Sequence, residues 1–210
     1  AYILEGAQLV AEGHDPVLVE WAARSAGMAV GPLQVFDEVT LSLVRHALEN
    51  GAEYLAEHRQ LLASEGFALL KAMVDQEGRD GRAAGAGFYA YDGPGGKRQG
   101  LWPGLAALVE AERQDADLEL LQERLLYVQC VEAVSALERG VLERHRDAEV
   151  GAVFGLGYAP NRGGPLATLD ALGAPAAVTR LEALAERCGP RFAPPQLLRE
   201  MAAKDARFFG

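Results

Sequence analysis

The stretch Phe154-Gly-Leu-Gly-Tyr-Ala-Pro-Asn-Arg-Gly-Gly-Pro-Leu-Ala-Thr-Leu-Asp170 is rich in glycine, contains two prolines and ends in an acid within an apolar frame. A shorter version, Gly27-Met-Ala-Val-Gly-Pro-Leu-Gln-Val-Phe-Asp37, lies near the start of the chain. Both contain Gly-Pro-Leu followed four residues later by Asp, and the two Asp residues are 133 positions apart. A repeat at this spacing predicts one structural unit that is built twice.

The repeat extends towards the N-terminal side of both stretches. Gly13 corresponds to Gly140, 127 positions later, so the second copy carries a six-residue insertion before its Gly-Pro turn. The sequence therefore predicts a first helical domain over 1–92, a linker and connecting helix over 93–117, and a second helical domain over 118–210.

Apolar residues at helical spacing, with caps and breakers between them, predict an all-α chain. Residues 81–92 are expected to be extended across helices, residues 93–100 to be a flexible linker, and no segment is expected to form a central strand. The predicted helices cover residues 2–12, 16–27, 33–48, 61–74, 102–117, 118–140, 147–154, 165–172, 174–188 and 196–203.

Composition excludes several classes of protein. Half of the 210 residues are hydrophobic, yet no apolar run approaches the roughly 18 residues of a membrane span. The net charge of −10 argues against a nucleic-acid partner, because phosphates require clustered Lys and Arg. We expect reduced cysteines and a cytoplasmic protein without a signal peptide. Because the chain opens at Ala1 inside a helical pattern, we also expect it to be cut from a longer protein.

Cofactor motifs are incomplete. Gly85-Ala86-Gly87 and Gly155-Leu156-Gly157 lack the third glycine of a dinucleotide cradle and follow no strand, which argues against NAD binding within these residues. No histidine pair has the i, i+4 spacing of a metal site, so we expect no metal ligands. Solvated side chains are expected for all four histidines, His14, His46, His58 and His145.

Two places could carry chemistry. Asp37 and Asp170 could act as general bases, or each could accept backbone amide hydrogens in its own turn or from the other copy; duplication favours the structural role. The loop Asn161-Arg162-Gly163-Gly164 could hold an anion through Arg162 and glycine amides, or could simply turn tightly. No nucleophile has a base beside it.

Taken together, these segments resemble the C-terminal region of the 3-hydroxyacyl-CoA dehydrogenases, and more closely that of multifunctional fatty-acid oxidation alpha subunits, in which the helical domain occurs twice. The matching residues span nearly the whole chain: Tyr2…Glu5…Leu9-Val10…Gly13, Gly31-Pro32-Leu33…Asp37, Gly85 to Tyr91, Glu123 to Leu126, Gly155 to Tyr158 with Arg162-Gly163-Gly164, and Leu198 to Met201 with Phe208-Phe209. Thr40 stands where the family commonly has glycine, and Phe154 where tyrosine is expected.

The resemblance implies two helical units of the 6-phosphogluconate dehydrogenase C-terminal-like type, packed as a pseudo-dimer. It implies oxidation of 3-hydroxyacyl-CoA in fatty-acid β-oxidation by a full-length enzyme that holds NAD in a separate domain, with acyl-CoA as substrate and a thiolase subunit as partner. No catalytic residue of the family has a matching position here, so the chain alone is expected to be inactive and without a cofactor. Phe154 and Arg162 are the candidate substrate contacts. The alternative is a purely structural helical assembly module without ligand contact.

Overall fold

The computed structural model describes residues 1–54 and 56–210, with residues 56–58 described by their backbone alone. These residues form twelve α-helices and one two-stranded antiparallel sheet, which confirms the all-α class. In chain order the elements are α1 Tyr2–Ala11, α2 Pro16–Ser25, α3 Pro32–Val39, α4 Leu41–Gly51, α5 Ala56–Leu62, α6 Glu65–Asp75, β1 Tyr89–Tyr91, β2 Arg98–Leu101, α7 Leu105–Leu108, α8 Leu118–Glu138, α9 His145–Val150, α10 Pro165–Leu172, α11 Ala174–Cys188 and α12 Gln196–Ala203.

The chain divides into two compact units. The N-terminal unit contains residues 2–23 and 30–121, and the C-terminal unit contains residue 1, residues 24–29 and residues 122–210. The short segment 24–29, which precedes the first Gly-Pro turn, thus belongs to the C-terminal unit. The duplicated domains at 1–92 and 118–210, and their pairing, stay predictions.

Each unit has its own apolar core. In the N-terminal unit the rings of Phe36 and Phe88 lie 5.5 Å apart between their centroids, and both side chains are fully buried. In the C-terminal unit the largest fully buried side chains include Tyr158, Phe192 and Leu166. Apart from Phe192, these residues come from the repeated stretches and from the segment held by Asp37.

One predicted helix is wrong in length because it is broken near its middle. Residues 33–48 form two helices, α3 and α4, separated by Thr40, whose backbone has φ 69° and ψ 138°. A positive φ cannot continue a right-handed helix, so the chain changes direction there. The helix predicted over 61–74 corresponds to α6, which begins only after Ser64. The Ser64 hydroxyl accepts the Phe67 amide hydrogen and caps the start of this helix.

The predicted linker 93–100 is partly strand. Residues 98–101 form β2 and pair with β1, while Gly93 and Gly95 adopt positive φ values of 138° and 69° in the connecting turn. The turn is fastened by the Lys97 amide, which donates to the Asp92 carboxylate at 2.5 Å. The helix predicted over 102–117 is also wrong, because only residues 105–108 are helical.

The second repeated stretch begins with a widened turn. The predicted helix 147–154 is instead α9, followed by a π-helical turn over Gly151–Gly155. Three residues beyond this turn, the Tyr158 amide donates to the Ala152 carbonyl within it at 2.9 Å. By contrast, α10 and α12 begin and end at the predicted residues.

Candidate functional site

In the N-terminal unit, a distant carboxylate caps the helix that follows the Gly-Pro turn. Glu20 on α2 accepts the amide hydrogens of Leu33 at 2.7 Å and Gln34 at 3.2 Å, the first free donors after Pro32. A negative charge at this position also interacts favourably with the positive end of the helix dipole. Gly31 is required because a Cβ there would overlap the Glu20 carboxylate.

The C-terminal unit repeats this arrangement with Glu149 on α9. Its Oε1 accepts the Ala167 amide hydrogen at 2.8 Å, just after Pro165. A Cβ on Gly164 would overlap the Glu149 carboxylate, and Gly164 has φ 138°, which side-chain-bearing residues rarely adopt. In both units, a glutamate from another helix therefore accepts backbone amide hydrogens just after the Gly-Pro motif.

The repeated aspartates are clamps that hold a distant segment. Asp37 Oδ1 and Oδ2 accept the amide hydrogens of Phe88 at 2.7 Å and Tyr89 at 2.9 Å. Asp170 Oδ1 and Oδ2 accept those of Phe208 and Phe209, both at 2.9 Å. The predicted role as acceptors of backbone amides is confirmed. The donors, however, lie 38 to 52 residues away within the same unit, not in the local turn or the other copy.

Burial shapes the chemistry of the first clamp. Asp37 is fully buried, and the loss of solvent raises the pKa of its carboxyl from 3.8 to about 6, although the two amides and the Tyr91 hydroxyl oppose this shift. Tyr91 donates to Asp37 Oδ2 at 2.9 Å. Arg79 contributes a weaker charge interaction, and its guanidinium binds the Gly87 and Tyr89 carbonyls. Both carboxylate oxygens of Asp37 thus accept hydrogen bonds that hold the fold together.

The loop from Phe154 to Gly164 presents apolar side chains to solvent. Phe154 is 85% exposed and Leu156 is 73% exposed, at the end of the π turn. A Cβ on Gly151 or Gly155 would meet no atom within 4 Å, so this part of the loop is open on its outer side. The candidate residue Phe154 is therefore available to a ligand.

The other end of this loop is fastened within the C-terminal unit. The Tyr158 hydroxyl lies 2.9 Å from Thr168 Oγ1 and 3.4 Å from Cys130 Sγ, and all three residues are buried. Arg162 is exposed, and its Nε donates to the Ala26 carbonyl at the long distance of 3.4 Å. Arg162 therefore has a structural contact and also an accessible cationic group.

The histidines take two kinds of position. The prediction for His14 is wrong, because its side chain is only 9% exposed. His145 Nδ1 lies 2.8 Å from the Phe208 carbonyl, and its ring packs edge-on against Phe208 at 5.3 Å. His58 lies outside the residues whose side chains are described.

Within the described part of the chain, no group of three His, Cys, Asp or Glu side chains could hold a metal ion. None of the described helices is long and apolar enough to cross a membrane. Neither Cys130 nor Cys188 is in a disulfide bond.

Sequence reasoning found the aspartates but missed the glutamates. Glu20 and Glu149 lie 11 and 15 residues before their Gly-Pro glycines, on helices whose local pattern shows only a polar residue among apolar ones. Alignment of the two copies on their Gly-Pro turns does not pair them, because they stand at different distances from the glycine. Their orientation towards the turn depends on tertiary packing.

Comparison with known proteins shows which family part of this chain resembles. Residues 1–91 match the sequence profile of the family described as "3-hydroxyacyl-CoA dehydrogenase, C-terminal domain". The predicted resemblance to the 3-hydroxyacyl-CoA dehydrogenase C-terminal region is therefore confirmed.

Several relatives cover almost the whole chain. A fatty acid oxidation complex subunit alpha from Shewanella oneidensis is 33% identical over 217 aligned residues, which include 99% of this chain and 29% of the relative. Subunits with the same name from Shewanella sp. strain ANA-3 and Shewanella baltica are 34% and 32% identical, again over 99% of this chain and 29% of theirs. The chain thus spans under a third of the length of these curated relatives.

Proposed function

We propose that the chain is the helical portion of an NAD-dependent 3-hydroxyacyl-CoA dehydrogenase of fatty-acid β-oxidation, and that it covers the acyl-CoA cleft and mediates domain pairing. The observation that supports this most strongly is similarity to fatty acid oxidation complex alpha subunits over 99% of the chain. The whole enzyme would oxidise a 3-hydroxyacyl-CoA by hydride transfer to NAD held outside this chain. It would work in the cytoplasm, with a thiolase subunit as partner.

Catalysis and NAD binding are assigned to other parts of the enzyme. The four carboxylates described above, Glu20, Asp37, Glu149 and Asp170, accept backbone amide hydrogens and have structural roles. The purified chain should therefore give no NADH with 3-hydroxybutyryl-CoA and NAD, and calorimetry should detect no NAD binding. NADH formation by the pure chain would contradict the assignment.

Phe154 and Arg162 are proposed to contact the acyl-CoA. The exposed ring of Phe154 supports an apolar contact, and the exposed guanidinium of Arg162 supports a charge-assisted contact to a phosphate or carboxylate. Such a contact contributes roughly 1.5–3 kcal/mol, which corresponds to about tenfold or more in affinity.

The test is Arg162→Ala in the enzyme that contains this chain. The KM for acyl-CoA should rise about tenfold or more, with the KM for NAD nearly unchanged. Arg146→Ala, which removes another exposed arginine from the same unit, should leave both values unchanged. If Arg162→Ala lowers the melting temperature without changing the kinetics, the bond to the Ala26 carbonyl is its main role and the assembly-module alternative is favoured.

The duplication further suggests that the copies at 1–92 and 118–210 pair with each other as a pseudo-dimer. A tether raises the effective concentration of one copy near the other to roughly millimolar, which favours internal pairing. Light scattering should then show a monomer in solution. An obligate dimer at all accessible concentrations would contradict internal pairing.

A further inference from the structure

The two capping glutamates differ at their second oxygen. In the N-terminal unit, Glu20 Oε2 accepts the Tyr89 hydroxyl hydrogen at 2.9 Å, so both of its oxygens are engaged. In the C-terminal unit, Glu149 Oε2 is buried and has no hydrogen-bond partner among the described residues. The same structural device is therefore complete in one unit and incomplete in the other.

The difference has a source in the sequence. The amide of Tyr89 donates to Oδ2 of the clamp residue Asp37, and the amide of Phe209 donates to Oδ2 of the clamp residue Asp170, both at 2.9 Å. Phe209 thus occupies the place in the second copy that Tyr89 occupies in the first. A phenylalanine has no hydroxyl group, so this position cannot donate to Glu149 as Tyr89 does to Glu20.

The surroundings of Glu149 disfavour its negative charge. Asp170 on α10 adds repulsion, and burial acts in the same direction. The Cys130 thiol on α8 also interacts with Glu149 and remains neutral, because burial raises its pKa to about 12. Arg144, just before α9, pairs with Asp147 on that helix in a bidentate contact at 2.8 and 3.0 Å.

We propose that Glu149 is a proton-sensitive latch between α9 and the start of α10, which holds most firmly when its carboxyl group is protonated. The latch includes the glycine-rich loop 154–164, because that loop joins the two helices. A protonated carboxyl still offers Oε1 to the Ala167 amide, and it removes the buried, unpaired charge from Oε2. This inference does not depend on the proposed enzymatic function.

The direction of the pH dependence follows from linkage. Burial raises the pKa of Glu149 above its ordinary value of 4.5, although the Ala167 and Leu166 amides oppose the shift. The closed junction therefore keeps a proton that the opened junction releases. Its stability is greatest below the ordinary pKa, falls as pH rises towards the raised value, and is constant above it.

The test is hydrogen exchange of the Leu166 and Ala167 amides in the 210-residue chain between pH 4.5 and 8, corrected for intrinsic rates. Protection should fall with rising pH by at most about tenfold per pH unit, since one proton is released. In Glu149→Gln, which carries no titratable group at this position, that dependence should disappear. A carbon-detected NMR titration of the wild-type Glu149 carboxyl should give a midpoint above 4.5.

Glu20→Gln is the matched control in the other unit. It should lower protection of the Leu33 and Gln34 amides about tenfold or more, because these amides and the Tyr89 hydroxyl lose their carboxylate acceptor. The proposal is overturned if protection at Leu166 and Ala167 is unchanged or increases with pH, or if Glu149 titrates at or below 4.5. The NMR titration decides the question even if Glu149→Gln fails to fold.

Discussion

Replacing Thr40 with glycine should stabilise the N-terminal unit. Thr40 has φ 69° and ψ 138°, a conformation that a β-branched residue adopts only under strain. The corresponding residue of the second copy, 133 positions later, is Gly173, with φ 82° and ψ 140°. The same bend between helices is thus made by the favourable residue in one copy and by an unfavourable residue in the other.

The expected gain follows from two opposing contributions. Strain at a residue in a sparsely populated region costs about 1–3 kcal/mol, and glycine would remove it. Glycine loses more backbone freedom on folding, which costs roughly 0.5–1 kcal/mol. Thr40 makes no side-chain cap hydrogen bond, so little else is lost. The net stabilisation is therefore about 0.5–2 kcal/mol.

Urea unfolding of Thr40→Gly should shift the midpoint of the N-terminal unit's transition upward without changing its slope. Thr40→Ala is the control. It removes Oγ1 and Cγ2 but keeps a Cβ at positive φ, so it should recover little of the gain. The converse variant, Gly173→Thr, should destabilise the C-terminal unit. If Thr40→Gly is neutral or destabilising, Thr40 is not strained and the explanation of the bend is wrong.

Three further predictions concern side-chain contacts within the two units. Stability of the N-terminal unit should fall by on the order of 3 kcal/mol from pH 4 to pH 6, because buried Asp37 keeps its proton up to a pKa of about 6. Asp37→Asn should abolish that slope in urea titrations at successive pH values; an unchanged slope would assign it to other groups. Gly164→Ala should cost about 1–3 kcal/mol, because Gly164 has φ 138° and a Cβ there would displace the Glu149 carboxylate, whereas Gly155→Ala should cost under about 1 kcal/mol. Tyr158→Phe should lower the melting temperature by removing a buried hydroxyl worth roughly 1 kcal/mol; an unaltered melting temperature would show that the contacts to Thr168 and Cys130 contribute nothing.

Local sequence signals predicted much of the helical framework. Proline at the first helical position set the start of α10, and Pro194-Pro195 preceded α12, so both helices have their predicted bounds. The spacing of Gly-Pro-Leu and Asp correctly indicated a repeated structural role for Asp37 and Asp170. These signals lie within a few residues of the feature that they determine.

Features determined by distant contacts were not predicted. The hairpin of β1 and β2 was not recognised because residues 93–100 are rich in glycine and lack alternation, although two of those glycines form its turn. The break at Thr40 was missed because threonine is not a residue from which a positive φ is expected. The glutamate caps depend on which way α2 and α9 face, and this is set by packing rather than by local sequence.

The loop 154–164 also combines features that the sequence indicated with features that it did not. The sequence analysis named Phe154 and Arg162 as candidate substrate contacts, and both residues are exposed. The π turn over Gly151–Gly155 and the contact between Arg162 and the Ala26 carbonyl were not predicted, because one is a rare backbone form and the other joins residues 136 positions apart.

The aspartate clamps also bear on the order of folding. Each closes a loop with a single carboxylate, over 51 residues for Asp37 and over 38 residues for Asp170, as measured to the first amide donor. The entropic cost of loop closure rises slowly with length, so these two closures differ by only about 0.3 kcal/mol. Helices α3 and α10 can form within microseconds, whereas the clamp has no partner until the distant segment arrives. We therefore expect each carboxylate to form its bonds late in folding, so that removing it would chiefly speed the unfolding of its unit.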